Sequence, residues 1–147
     1  MEDRIMVKAE GSIIINAPAE KVFGLLTETE KLPDWLPLMM EVHDIQGKGV
    51  GRKFKWTYKF MGITFSGMTE VVEEVPNKKL VTKGKAGIES VWTFNLNKEG
   101  GGTKVDLLVE YTIPVPVLGK FAESFVVKQG ARDMKHALET FKHLLEA

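Results

Sequence analysis

Residues Lys53–Phe60 (KFKWTYKF) alternate strictly between a polar side chain and an aromatic one. Because successive side chains of a β-strand point to opposite faces, this alternation predicts a strand with one aromatic and one basic face. The aromatic face carries Phe54, Trp56, Tyr58 and Phe60. A face of this kind has to be covered by another element, and that requirement limits the folds open to the chain.

Period-two patterns and turn residues recur on both sides of this strand, which predicts a series of antiparallel hairpins. The predicted strands are Val7–Ile15, Val42–Gln46, Lys53–Phe60, Ile63–Val75, Leu80–Lys85, Glu89–Leu96 and Thr103–Thr112. After the first strand, a short helix is predicted at Glu20–Thr27. A second short helix or loop is predicted at Lys31–Leu38, where Pro33 and Pro37 exclude a long helix.

The segment from about Val117 to Glu146 is the only long helical pattern. Its apolar residues point in two directions, so the helix either bends near Gln129 and Gly130 or has two halves in different surroundings. No other element is long enough to cover the aromatic face. We therefore predict an α+β helix-grip fold, in which a curved antiparallel sheet of about seven strands wraps a C-terminal helix in one domain, residues 1–147.

Several sequence blocks occur in an order that resembles the START-like, helix-grip superfamily. They are Ile13–Phe23 (IIINAPAEKVF), Leu32–Pro37 (LPDWLP), Val71–Leu80 (VVEEVPNKKL), Trp92–Phe94 and Gly102–Val105. The chain looks most similar to the branch of polyketide cyclase/dehydrase and coenzyme Q-binding-like proteins. This resemblance implies an internal apolar cavity. It implies no single activity, because such relatives include lipid carriers, hormone receptors, cyclases and partner-binding modules.

The residues expected to line this cavity are mainly aromatic. The predicted ligand-binding residues are Trp35, Phe54, Trp56, Tyr58, Trp92, Tyr111, Phe125 and Gln129. The rings would bind a flat or long apolar ligand, or they are simply core beneath the helix. The two tyrosine hydroxyls would orient a carbonyl or quinone oxygen, or they reach solvent or a backbone carbonyl. Trp35 is either a gate at the cavity mouth or a plug that docks the short helices.

Catalytic and metal-binding patterns are missing from the sequence. The chain has no Cys, and His43, His136 and His143 lack the spacing of metal ligands, so neither a metal nor a cofactor is predicted. There is no nucleophile elbow and no phosphate-binding loop. Glu70 and Glu89 are the first carboxylates to consider for acid–base work, although a solvated sheet face explains both. No catalytic residue is assigned, and the sequence favours a binder over an enzyme.

The charges balance, with 20 Lys+Arg against 20 Asp+Glu, so no nucleic-acid partner is expected. The sequence shows no secretory signal and no membrane-spanning stretch, which predicts a cytoplasmic protein without membrane insertion. The predicted function is binding or transport of an apolar small molecule such as a lipid, a quinone or a polyketide-like ring. The alternatives are a polyketide cyclase/dehydratase-type enzyme and a protein-interaction module. Buried carboxylate or His groups converging in the cavity would favour the enzyme, and an entirely apolar cavity would favour the carrier. A filled core with an apolar outer patch would favour the interaction module.

Overall fold

A computed structural model describes residues 4–60, 62–85, 88–114 and 123–147. Its elements, in chain order, are β1 (Arg4–Ile15), α1 (Ala19–Thr27), a 3-10 turn (Thr29–Lys31), α2 (Leu32–Trp35), β2 (Met39–Gln46), β3 (Lys53–Phe60), β4 (Ile63–Val75), β5 (Lys79–Lys85), β6 (Glu89–Glu99), β7 (Gly102–Pro114) and α3 (Glu123–Glu146). Within the described ranges, none of the helices has the length and apolar character needed to cross a membrane.

The strands form one seven-stranded antiparallel sheet in the order β1-β7-β6-β5-β4-β3-β2. The first strand therefore pairs with the last, while the other neighbours are consecutive hairpins. Tight turns between strands use left-handed backbone at Asn77 (φ 63°) and Gly100 (φ 57°), two residue types that tolerate it. The predicted helix-grip fold is confirmed, with a curved sheet around the C-terminal helix.

The second half of α3 packs closely against β1. A Cβ atom placed on Gly11 of β1 would lie 2.9 Å from the Met134 Sδ and 3.2 Å from a Leu138 methyl carbon. A side chain at this position would require the Met134 and Leu138 side chains to shift. The helix residues that are buried here follow a helical spacing, and they are Met134, Ala137, Leu138, Phe141 and Leu145.

Trp35 of α2 fills the space beside this contact. Its side chain is only 2% exposed, with ring centroids 4.7 Å from Phe141 and 6.3 Å from Phe94. The indole thereby joins α2, α3 and β6 in one cluster. Of the two interpretations of Trp35, this position matches the plug that docks the short helices rather than a gate at an entrance.

The C-terminal helix is continuous through Gly130, so the glycine does not interrupt it. The predicted start of this helix, at Val117, lies outside the described residues. The apolar direction expected for its first half rests on residues 118–125, whose side chains are not described, so that half of the pattern stays a prediction.

We expect Phe141→Ala to lower the free energy of unfolding by about 3–5 kcal/mol, because it leaves a cavity under Trp35. Leu144→Ala is the matched control on the same helix, since Leu144 is 42% exposed, and it should change stability much less. Urea denaturation followed by circular dichroism measures both. Equal losses in the two variants would contradict the packing described for Trp35.

Candidate functional site: an apolar cavity with a polar end

A cavity of about 310 Å³ lies between the sheet and α3. Its walls come from β3 to β7, from α2 with the loop that follows it, and from the segment Gln129–Ala137 of α3. The lining is largely apolar, and the volume falls at the lower end of the range for small-molecule sites.

Three side chains of β3, Phe54, Trp56 and Tyr58, form what we call the aromatic wall of this cavity. Lys55 and Lys59, on the opposite face of the strand, are exposed. The predicted register of β3 is therefore confirmed. It follows from the alternation alone, because a shift by one residue would exchange the two faces.

Seven of the eight predicted site residues line the cavity: Trp35, Phe54, Trp56, Tyr58, Trp92, Tyr111 and Gln129. The side chain of the eighth, Phe125, lies outside the described part of the structure. The geometry places these residues around one space, and their binding of a ligand stays a prediction.

Both indole N–H groups of the sheet are bonded within the sheet itself. The Trp56 Nε1 donates to the Thr69 Oγ1 at 2.8 Å, and the Trp92 Nε1 donates to the Ser90 Oγ at 3.2 Å. The Trp56 ring lies across Gly67 of β4, where an added Cβ would be 2.5 Å from the ring. Because the hydroxyls of Thr69 and Ser90 accept these bonds, the two indoles present only apolar surface to the cavity. Neither hydroxyl was identified from the sequence.

Polar side chains gather at one end of the cavity, where β3, β7 and α3 meet. We call this group the polar end, and it consists of Tyr58, Tyr111, Gln129 and Asp133. Burial raises the pKa of Tyr58 well above its ordinary value, and the nearby Tyr111 and Asp133 add to the shift. Burial and then Asp133 raise the pKa of Tyr111 to about 12. Both phenols therefore keep their O–H at neutral pH.

Asp133 is the carboxylate of the polar end. Its Oδ1 accepts a hydrogen bond from the Gln129 Nε2 at 3.0 Å. Burial raises the pKa of Asp133, while the Gln129 hydrogen bond and the positive charges of Arg132 and His136 oppose that rise. A carboxylate in an aromatic cavity can accept hydrogen bonds, attract a cation or take up a proton.

Glu70 and Glu89, the first carboxylates considered in the sequence, do not line the cavity, which fits the solvated sheet face offered for both. Glu70 and Glu89 are both exposed on strands, and Glu89 forms an ion pair with Lys85 at 3.7 Å. Asp133 was missed, although a signal existed. It follows Gln129 by four residues, a spacing that puts both side chains on one helix face.

A second charged group, Arg52, contributes to the lining of the cavity. An Arg52 guanidinium nitrogen lies 3.5 Å from the Glu74 Oε1, and the pair is largely buried. The Arg52 Nε is enclosed and has no hydrogen-bond partner within the described ranges. Across the same ranges, no group of three or more His, Asp or Glu side chains is arranged to hold a metal.

The family model described as "Polyketide cyclase / dehydrase and lipid transport" matches residues 6–146. Among curated proteins, no sequence match was found.

Solved structures share the fold at low sequence identity. The protein TTHA0849 from Thermus thermophilus is 20% identical with a TM-score of 0.83, covering 95% of this chain and 97% of that chain. Ara h 8.0201 is 13% identical with a TM-score of 0.75, covering 96% and 98%. The di-domain ARO/CYC StfQ from the steffimycin biosynthetic pathway is 14% identical with a TM-score of 0.81, covering 97% of this chain and 51% of StfQ.

The substitution Gly67→Ala should destabilise the protein by about 1–3 kcal/mol, because the new methyl group collides with the Trp56 ring and with the Lys85 carbonyl oxygen, 2.6 Å away. Trp56 fluorescence should also shift. Gly24→Ala is the control, since nothing lies within 4 Å of its new Cβ in α1, and it should stabilise the helix. A stable Gly67→Ala protein with unchanged emission would contradict this placement of Trp56.

Asp133→Asn should raise the melting temperature at neutral pH, because the folded state raises the pKa of Asp133 and thus penalises its ionised form. Between the ordinary pKa of 3.8 and the raised value, the folded state binds more protons than the unfolded state, so this group lowers stability as pH rises. The advantage of the variant should disappear below pH 3.8. Thermal unfolding across pH measures it, and a difference independent of pH would argue against a desolvated carboxylate.

Proposed function

Because the chain belongs to the polyketide cyclase / dehydrase and lipid transport family, we propose that it binds an apolar small molecule between the sheet and α3. A lipid, a quinone or a polyketide-like ring fits this class. The observation that carries the proposal is the unfilled cavity of about 310 Å³ behind the aromatic wall. A protein that used these rings only as core would pack them against the helix without such a space.

The bonding of the two indoles supports an apolar ligand body. With the N–H groups of Trp56 and Trp92 bonded to Thr69 and Ser90, the rings offer flat surfaces and no free donor. The unfilled cavity also argues against the protein-interaction module, for which a filled core was expected. The polar end adds a few directional groups, which is the usual composition of a small-molecule site.

Gly130 tests whether the cavity is the binding site. Among the described residues, a Cβ at this position would meet only Tyr111, at 4.0 Å, and Gly130 lines the cavity, so we expect a larger side chain to take up cavity space. We expect Gly130→Leu to abolish binding while stability holds or rises, since leucine is the better helix former by up to about 1 kcal/mol. Gly130→Ala should also be stabilising, with a smaller effect on binding.

Binding would be measured with dodecanoic acid, 1,4-naphthoquinone and 2-methoxynaphthalene, as a rise in melting temperature that grows with ligand concentration. Gly24→Leu is the control, because Gly24 is exposed in α1 with nothing within 4 Å of a new Cβ. It should bind as the unmodified protein does. If no ligand binds the unmodified protein, or if Gly130→Leu binds as well as the control, the proposed site is wrong.

A polyketide cyclase-type reaction is the second candidate function, and Asp133 is the observation that favours it. In this reaction the carboxylate takes a proton from a carbon next to a carbonyl, and a hydroxyl of Tyr58 or Tyr111 donates a hydrogen bond to the oxygen that gains charge. The carbanion attacks a second carbonyl carbon of the same chain, and the alkoxide regains the proton to give a hydroxyketone. The carboxylate then takes the second proton from the same carbon, the C–O bond breaks with formation of a C=C bond, and the departing hydroxide takes up that proton and leaves as water.

The diketone 2,6-heptanedione tests this candidate, because intramolecular condensation converts it to a conjugated cyclohexenone that absorbs in the ultraviolet. A cyclase of this kind should accelerate the conversion, and Asp133→Asn should abolish the acceleration. The enzyme hypothesis is refuted by no acceleration, or by equal rates with Asp133→Asn.

A further inference from the structure

We infer that the ligand carries a hydrogen-bond-donating group that Asp133 binds at the polar end, while the apolar body of the ligand lies on the aromatic wall. This inference rests on the proposed function, because it names the chemistry of the ligand that the same cavity would take. The donor is either a hydroxyl or an ammonium group, and the two share one requirement, a proton to give to a carboxylate.

Asp133 can accept more hydrogen bonds than it receives from the described residues. An ionised carboxylate can accept about four hydrogen bonds, and in the described part of the chain this one accepts a single bond, from Gln129. No oppositely charged side chain lies within ion-pair distance of it in those ranges. The buried side-chain atoms that are enclosed without a partner belong to Trp35 and Arg52, so the carboxylate of Asp133 is open to the cavity or to solvent.

The charged residues of the cavity lining also favour a hydrogen-bond donor on the ligand. Two charged residues, Arg52 and Asp133, line the cavity. Arg52 has Glu74 as its partner, and its Nε is enclosed. Asp133 has no ion-pair contact in the described residues, although Arg132 and His136 are near enough to lower its pKa. A ligand carbonyl or carboxylate beside it would leave two acceptors facing each other, whereas a donor would bond to the open carboxylate oxygen.

The neighbouring tyrosines are compatible with a hydrogen-bond donor on the ligand. Within the described ranges, neither the Tyr58 nor the Tyr111 hydroxyl has a hydrogen-bond partner, and both residues line the cavity. A neutral phenol both donates and accepts, so these groups can bond to a hydroxyl ligand or face a cation with their rings. Asp133 therefore determines whether the site prefers a ligand with a hydrogen-bond donor or one with an acceptor.

Matched naphthalene ligands test the inference by isothermal titration calorimetry. 2-Naphthol donates a hydrogen bond, 2-methoxynaphthalene has the same ring system without a donor, and 2-naphthylmethylamine carries an ammonium group at neutral pH. At least one of the two donors should bind about tenfold or more tightly than the methyl ether, because a hydrogen bond to a charged group is involved.

Substitutions at Asp133 separate the sources of that preference. Asp133→Leu removes the carboxylate, the charged acceptor of the polar end, and should reduce the preference to about one. Asp133→Asn keeps a neutral acceptor, so it should retain a preference for 2-naphthol and lose one for the amine. Glu139→Leu, an exposed position on the same helix, is the control and should change neither.

Equal binding of all three ligands to the unmodified protein would overturn the inference and leave the proposed function standing. If none of the three binds, and the panel of dodecanoic acid and 1,4-naphthoquinone also fails, both are wrong. A donor preference that persists in Asp133→Leu would also overturn the role of Asp133. The comparison in the unmodified protein remains decisive if Asp133→Leu does not fold.

Discussion

The close approach of α3 to β1 at Gly11 is the contact on which the rest of the structure depends. With no side chain at Gly11, Met134 and Leu138 of the helix reach the strand backbone. In the described residues, the helix is thereby held against β1 at one edge of the curved sheet, and the cavity separates it from the middle strands. The cavity is the space left by this asymmetry, so it is a consequence of how the helix is anchored.

The parts of the fold that depend on period two could be predicted from the sequence. The bounds predicted for Lys53–Phe60 and Ile63–Val75 agree with the structure, because alternation and turn residues define both ends of each strand. β2 was predicted to begin at Val42 and begins at Met39. Two adjacent methionines carry no alternation, and pairing with β3 rather than a local pattern makes them part of the strand.

The site was predictable to the same depth and no further. The aromatic wall follows from alternation along one strand. The position of Asp133 depends instead on the rotation of α3 about its own axis relative to the sheet, which is a tertiary property. The apolar residues of that helix point in two directions on a helical wheel. The sequence therefore does not define which face of the helix lies against the sheet. Gln129 was identified because it lies between those directions, and the same argument applies to Asp133, one helical turn later.

The two ends of the cavity differ in chemistry because different elements supply them. Toward the C-terminal end of α3, Trp35 and Phe141 pack with tilted rings among apolar neighbours. Gln129 lies twelve residues earlier on the same helix, roughly 18 Å along its axis at 1.5 Å per residue. Any ligand long enough to contact both regions meets apolar rings at one end and hydrogen-bonding groups at the other.

This polarity gives the site a direction that a uniformly apolar cavity would lack. Thr69 and Ser90 satisfy the indoles inside the sheet, so the hydrogen bonds open to a ligand are concentrated at Tyr58, Tyr111 and Asp133. A polar group placed against the rings of Trp56 and Trp92 would lose its water without replacement, because both of their N–H groups are already bonded, and that loss is costly. The same group placed beside Asp133 would regain a partner. Under the proposed function, the polar end would therefore select one orientation of an amphipathic ligand, whether the protein only held that ligand or also acted on it.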